Sequence, residues 1–217
     1  ALQNRVSPPD NQARRAEDLN RTLAGRMIGR RLERIAKEED SPFSSATMHV
    51  GDFFDLNFAL YSSIDADCKP EDWEKSMARI EQELRRALEF GFTEGELAES
   101  KAVVNRLYEE SAKQMGTRKS RDLANEIARR IGNRRIFTSP ADDLPRVQEL
   151  LQSITAESCQ TALKELWDSA SETLVLVSGN AELGDEPLAA IESAYQESGK
   201  VAVTPPEETS VESFAYA

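Results

Sequence analysis

Histidine is nearly absent: His49 is the sole imidazole in 217 residues. A hydrolytic zinc needs three protein ligands and a fourth position left for water. Both paired-histidine zinc motifs, His-Glu-x-x-His and His-x-x-Glu-His, need two imidazoles. A zinc-peptidase site built from this chain alone is therefore excluded, and no residue is expected as a metal ligand. A serine or cysteine triad would have to use the same His49, and no Gly-x-Ser-x-Gly turn precedes a helix. Ser178-Gly179 follows an apolar run but continues into Asn180-Ala181-Glu182, without a strained elbow. His49 lies in a predicted strand and reads as a half-exposed strand residue. No catalytic, cofactor-binding or metal-binding residue is predicted.

Cysteine is scarce too. Cys68 and Cys159 are too few for a disulfide framework, and no Cys-x-x-Cys pair occurs. They read as small packing residues, free or joined in one disulfide. Long apolar runs are missing; none approaches the roughly 20 residues that cross a bilayer. Ala1 to Arg5 lacks the apolar stretch of a signal peptide. No membrane partner is expected, and the compartment stays open between periplasm and cytoplasm. Positive charge is in deficit, with 27 Lys and Arg against 39 Asp and Glu, a formal charge of −12 and a pI near 4.7. Such a surface repels a phosphate backbone, so no nucleic acid partner is expected. The local basic cluster Arg30, Arg31 and Arg34 is followed by Glu38, Glu39 and Asp40 and reads as a solvated helix face. Gly25 and Gly29 lie inside a helical stripe, not in a phosphate-cradling loop after a strand.

What is present is mostly helical periodicity. From Gln12 to about Glu39, Ala16, Leu19, Leu23 and Met27 form one stripe, continued by Ile28, Leu32 and Ile35. Ser41-Pro42 stops it, because the residue before proline disfavours the helical basin. Phe43 to Val50 and Leu56 to Ile64 read as strands. In the second, Leu56, Phe58 and Leu60 alternate with Asn57, Ala59 and Tyr61, and Gly51-Asp52 supplies a bend, predicting an antiparallel hairpin. Pro70 opens a helix with Trp73, Met77, Ile80, Leu84 and Leu88 inward, ended by Phe90-Gly91-Phe92. Thr93 and Glu96 form a capping-box signature for the next helix, with Leu97, Val104, Leu107 and Tyr108 inward. Another helix near Ser120 carries Leu123, Ile127 and Ile131.

Ser139-Pro140-Ala141-Asp142 is a further helix start. Thr155 begins a helix with Cys159, Leu163, Leu166 and Trp167. Thr173 to Val177 is a β-branched-rich run that suits a buried strand, ended by Gly179-Asn180. A helix over Pro187 to Tyr195 and a brief strand, Lys200 to Thr204, follow. Glu109-Glu110 and Asp142-Asp143 fit helix faces and first turns rather than acid–base pairs. Trp73 and Trp167 read as core. The order of elements is not the strand–helix alternation of a doubly wound parallel sheet. The expected class is α+β, an antiparallel or mixed sheet covered by several helices. Residues 1–12 are expected as a leader, 13–204 as one domain and 205–217 as an acidic, proline-containing linker.

Four stretches carry a family resemblance, in order. LNRTLAGRMIGRRLERIAKEEDSPFSSA from Leu19 resembles the segment of insulinase/pitrilysin-type zinc peptidases where a long helix gives way to a strand. PEDWEKSMARIEQELRRALEFGFTEGELAESK from Pro70 resembles the family's helix, Gly-Phe-Thr turn and next helix. LQSITAESCQTALKELW from Leu151 and TLVLVSGN from Thr173 resemble a later helix and the closing strand. The resemblance runs from about Ala13 to Val203. It implies the second domain of the first half of a clamshell peptidase, whose inverted zinc motif sits in a first domain outside this chain. Where the family's second half carries a substrate-contacting Arg and Tyr, this sequence has Ala36 and Phe43, so neither role is carried over, and Arg34 is out of register. The resemblance implies a non-catalytic structural domain, partnered by neighbouring domains of the same peptidase and by peptide substrate in the parent. No cofactor is expected in this segment; zinc is expected in the parent's absent first domain. The alternative is a binding or assembly module of a member that has lost catalysis. An unrelated helical adaptor leaves the strand-like segments unexplained.

Overall fold

A computed structural model describes residues 2–4, 9–52, 59–168 and 173–207. The long first helix, α1 (Gln12–Ile35), starts where Asn11 Oδ1 accepts from Arg14 N–H, a side-chain cap on an otherwise orphan donor. Its buried stripe contains Leu19, Leu23, Ala24, Met27, Ile28, Leu32 and Ile35. The chain then turns through Ser41, whose hydroxyl donates to Phe43 O, into a sheet.

That sheet has three antiparallel strands in the order β1–β3–β2, with β1 at Leu2–Asn4, β2 at Ser45–Asp52 and β3 at Ala59–Asp67. The register pairs Ala46 with Ala66, Met48 with Ile64 and Val50 with Ser62. These positions turn one face toward α1 by the two-residue period. Gly25 makes the close approach feasible, since a Cβ there would stand 3.2 Å from Val50 Cγ2. The expected hairpin is present. Leu56 and Phe58 of the predicted second strand lie outside the described residues. The stretch expected as a leader contributes β1, so it is partly sheet; backbone pairing with β3 outweighs its loop-like composition.

A 3₁₀ turn at Pro70–Asp72 leads into α2 (Trp73–Phe90). Then follow α3 (Glu94–Lys113), α4 (Ser120–Gly132), α5 (Pro140–Ser153), α6 (Ala156–Asp168) and α7 (Pro187–Lys200). Helix α1 is the hub: β2 packs on one side and α6, α3 and α2 on others, while α5 packs on α3 and α7 on α2. The α3 start is a full capping box: Thr93 Oγ1 accepts from Glu96 N–H, and Glu96 Oε2 accepts from Thr93 N–H. At α6, Thr155 and Ser158 cap reciprocally.

Three expectations fail on the outer helices and at the end. Leu107 and Ile131, predicted inward, are 48% and 68% exposed, because α4 has no buried residue and leaves these faces uncovered. Trp167 is only half-buried, packed against the core's edge. No strand forms over 173–177 or 200–204. Lys200 instead closes α7, where Arg85 donates to Ser198 O and Val201 O and holds the helix end against α2.

Candidate functional site

The sheet face turned away from α1 is the candidate surface. It carries Ser45, Thr47 and His49 on β2 and Tyr61, Ser63, Asp65 and Asp67 on β3, every second residue of each strand. His49 is exposed and stacks on Tyr61, with ring centroids 4.7 Å apart and planes at 29°. Ser63 Oγ donates to Asp65 Oδ2 at 2.9 Å and Ser45 Oγ to Asp67 Oδ2 at 2.8 Å. The result is a polar surface of hydroxyls, carboxylates and one aromatic pair.

Metal chemistry does not fit these residues. Among the described residues no group of three or more His, Cys, Asp or Glu could hold a metal ion. His49 alone cannot supply the three ligands of a hydrolytic zinc. The cysteines are both free. Cys68 is exposed; Cys159 is buried, its Sγ 3.7 Å from Asn20 Oδ1. Burial pushes the Cys159 thiol up to about 11, far from a reactive thiolate at neutral pH. A cleft of about 400 Å³ between α3 and α5 is lined by Lys101, Ala102, Asn105, Gln148, Leu151 and Gln152. Some of its polar groups are occupied internally: Lys101 Nζ donates to Ile154 O and Gln148 Nε2 to Asn105 Oδ1.

Other positions singled out from the sequence have structural surroundings. Phe43, at the position matched to a substrate-contacting tyrosine, is 2% exposed and part of the core. Trp73 is buried. Asp142 accepts from Ser139 at the α5 start, and Asp143 Oδ1 accepts from Thr138 Oγ1 at 2.6 Å and Arg15 at 3.2 Å.

The basic cluster is a correction. Arg30 is solvated as expected, but Arg31 is 5% exposed. Arg31 Nε and Nη2 donate to Glu96 Oε1 and Oε2 at 2.7 and 2.8 Å, and Nη2 also donates to Gly91 O at 2.9 Å. Its guanidinium centre lies 5.2 Å from the Phe92 ring centroid, a cation–π distance. Burial disfavours the Glu96 carboxylate, but the Arg31 and Thr93 hydrogen bonds and the Arg31 and Arg34 charges outweigh it. Its carboxyl is held below the ordinary value of 4.5. A second network joins Asp10 to Arg15 and Arg135, and Arg135 to Asp18. Burial opposes ionisation of Asp10 as well. Bonds from Arg15 and the Ile136 N–H, with the two arginine charges, still hold it well below the usual carboxylate range. The missed signal for Arg31 was its spacing, four residues from both Met27 and Ile35 on the buried stripe.

Compared with solved structures, the chain has the α+β fold of insulinase-type proteases. The first half of the periplasmic protease PqqL from Escherichia coli superposes with a TM-score of 0.77 at 17% identity, over 95% of this chain and 44% of that one. An insulinase family protease from Yersinia pestis gives 0.69 at 12% identity, over 91% and 42%. The ferredoxin protease FusC, solved with Arabidopsis ferredoxin, gives 0.63 at 14%, over 97% and 24%. The chain thus spans less than half the length of each of these proteins. The sequence matches no family model and no curated protein.

Proposed function

We propose that residues 13–204 are a non-catalytic structural domain of a bacterial-type zinc metalloendopeptidase. The domain supports a separate zinc-bearing domain and contributes part of the wall of a peptide-binding chamber. One observation carries the reading: a peptidase fold whose single imidazole, His49, stacks on Tyr61, with no second histidine anywhere in the sequence. A wall of this kind acts by enclosure and orientation. Binding far from the reacting bond helps align a peptide, while hydrolysis by metal-activated water belongs to residues outside this chain. The polar sheet face around Thr47, His49, Tyr61 and Ser63 is the surface assigned to the chamber.

The test compares the chain with the full-length polypeptide that carries it. Peptide cleavage should require the longer polypeptide and be abolished by mutating its zinc ligands. An upstream sequence without His-x-x-Glu-His, together with a zinc-free and inactive full-length protein, would favour an assembly module instead.

A further inference from the structure

One exposed apolar stretch of the surface is Thr173–Val177. It is uncharged from Thr173 to Ala181, in a chain whose net charge is −12. Leu174 and Leu176 are 77% and 86% exposed, whereas Val175 is 37% exposed and Val177 is half-buried. That alternation follows the two-residue period of a strand, one side less exposed than the other. The residues form no strand, and among the described residues their backbone makes no hydrogen bond. Unpaired amides and carbonyls beside bare leucines form a template for strand addition, and natural proteins cover or charge such edges. Among the described residues neither protection is present.

We propose that Thr173–Val177 is an edge strand completed by an extended segment of the adjoining peptidase domain, which pairs along its backbone and covers Leu174 and Leu176. This rests on the multidomain peptidase reading above. Two observations select that occupant. Solved proteins with this fold continue for more than half their length beyond the matched part, so polypeptide outside the shared fold is available in such proteins to supply the segment. A second copy of this chain would bring another charge of −12 to the contact, and self-repulsion opposes it.

Amide hydrogen exchange on the 217-residue chain and on the full-length polypeptide tests the proposal. Amides 174–177 should exchange rapidly in the chain alone and about 100-fold more slowly in the full-length protein, the protection of a paired strand. Leu174→Lys with Leu176→Lys should leave the melting of the isolated chain unchanged and abolish that protection. Equal exchange in both proteins overturns the proposal, and so does protection of the isolated chain that rises with concentration, which would make a second copy the occupant. Zinc content and peptidase activity are read on the same full-length sample. Activity without protection sinks the pairing alone, whereas protection without zinc upholds the pairing and sinks the peptidase reading.

Discussion

Replacing Glu96 by alanine is the severest single test of what holds α1 to the α2–α3 turn. The substitution removes two charge-assisted bonds to Arg31, at 2.7 and 2.8 Å, and the bond that caps Thr93 N–H. Arg31 stays behind as a guanidinium 5% exposed, left with Gly91 O and the Phe92 face. Arg34 contributes little to the sum, because it is 45% exposed and its contact to Glu96 is 3.3 Å. Breaking a buried pair by deleting one partner costs about 3–5 kcal/mol, mostly the stranded charge. For a chain of this size the melting temperature should fall by roughly 6–20 °C. Urea titration and thermal melting by circular dichroism both read it. The double variant Arg31→Met, Glu96→Leu should lose less than Glu96→Ala, since no charge is stranded. A Glu96→Ala loss under about 1 kcal/mol would refute the reasoning, for it would mean the pair is solvated rather than buried.

Glycine substitutions should split in sign. Gly91 ends α2 at φ 74°, and a Cβ there would meet Gln160 Oε1 at 2.9 Å, so Gly91→Ala should cost about 1–3 kcal/mol. Gly29 lies mid-helix with nothing within 4 Å of a Cβ, so Gly29→Ala should stabilise by about 0.5–1 kcal/mol in the same urea assay. Acid should unfold the chain. Asp10 and Glu96 titrate below their ordinary 3.8 and 4.5 when folded, so the unfolded state takes up protons first. The stability they confer is therefore complete above about pH 5 and is lost as pH falls through their lowered folded values. Melting temperatures should hold from pH 7 to 5 and drop toward pH 3, with a shallower drop in Asp10→Asn; no drop would contradict this. A thiol reagent at pH 7 should label exposed Cys68 quickly and Cys159 only on unfolding, as mass spectrometry would show.

Much of this fold was legible because its causes are local. The stripe from Leu19 to Ile35, the Thr93–Glu96 box and the Ser139-Pro140 start each follow from spacing or from a side chain reaching its own helix end. The α2 stripe was equally readable from Trp73, Met77 and Leu84. Arg31 was not, because composition around it matches that of solvated Arg30; only its position between Met27 and Ile35 separates them. Its partner Glu96 is 65 residues away, recognisable as a cap but not as an ion-pair acceptor. The Asp10 network likewise joins residues more than 100 positions apart. Thr173 to Val177 has strand composition, but a strand needs a partner, and local propensity names none. On the candidate surface, the lone histidine was visible at once. Its stacking on Tyr61 was hidden, because a diagonal contact depends on the β2–β3 register.

The most direct measurement of the central claim is metal content. The purified chain, dialysed against zinc and washed, should carry far less than one zinc per molecule by plasma emission spectrometry, and His49→Ala should not change the value. One tightly held zinc per chain, lost in His49→Ala, would contradict the account of a supporting domain whose hydrolytic metal lies elsewhere.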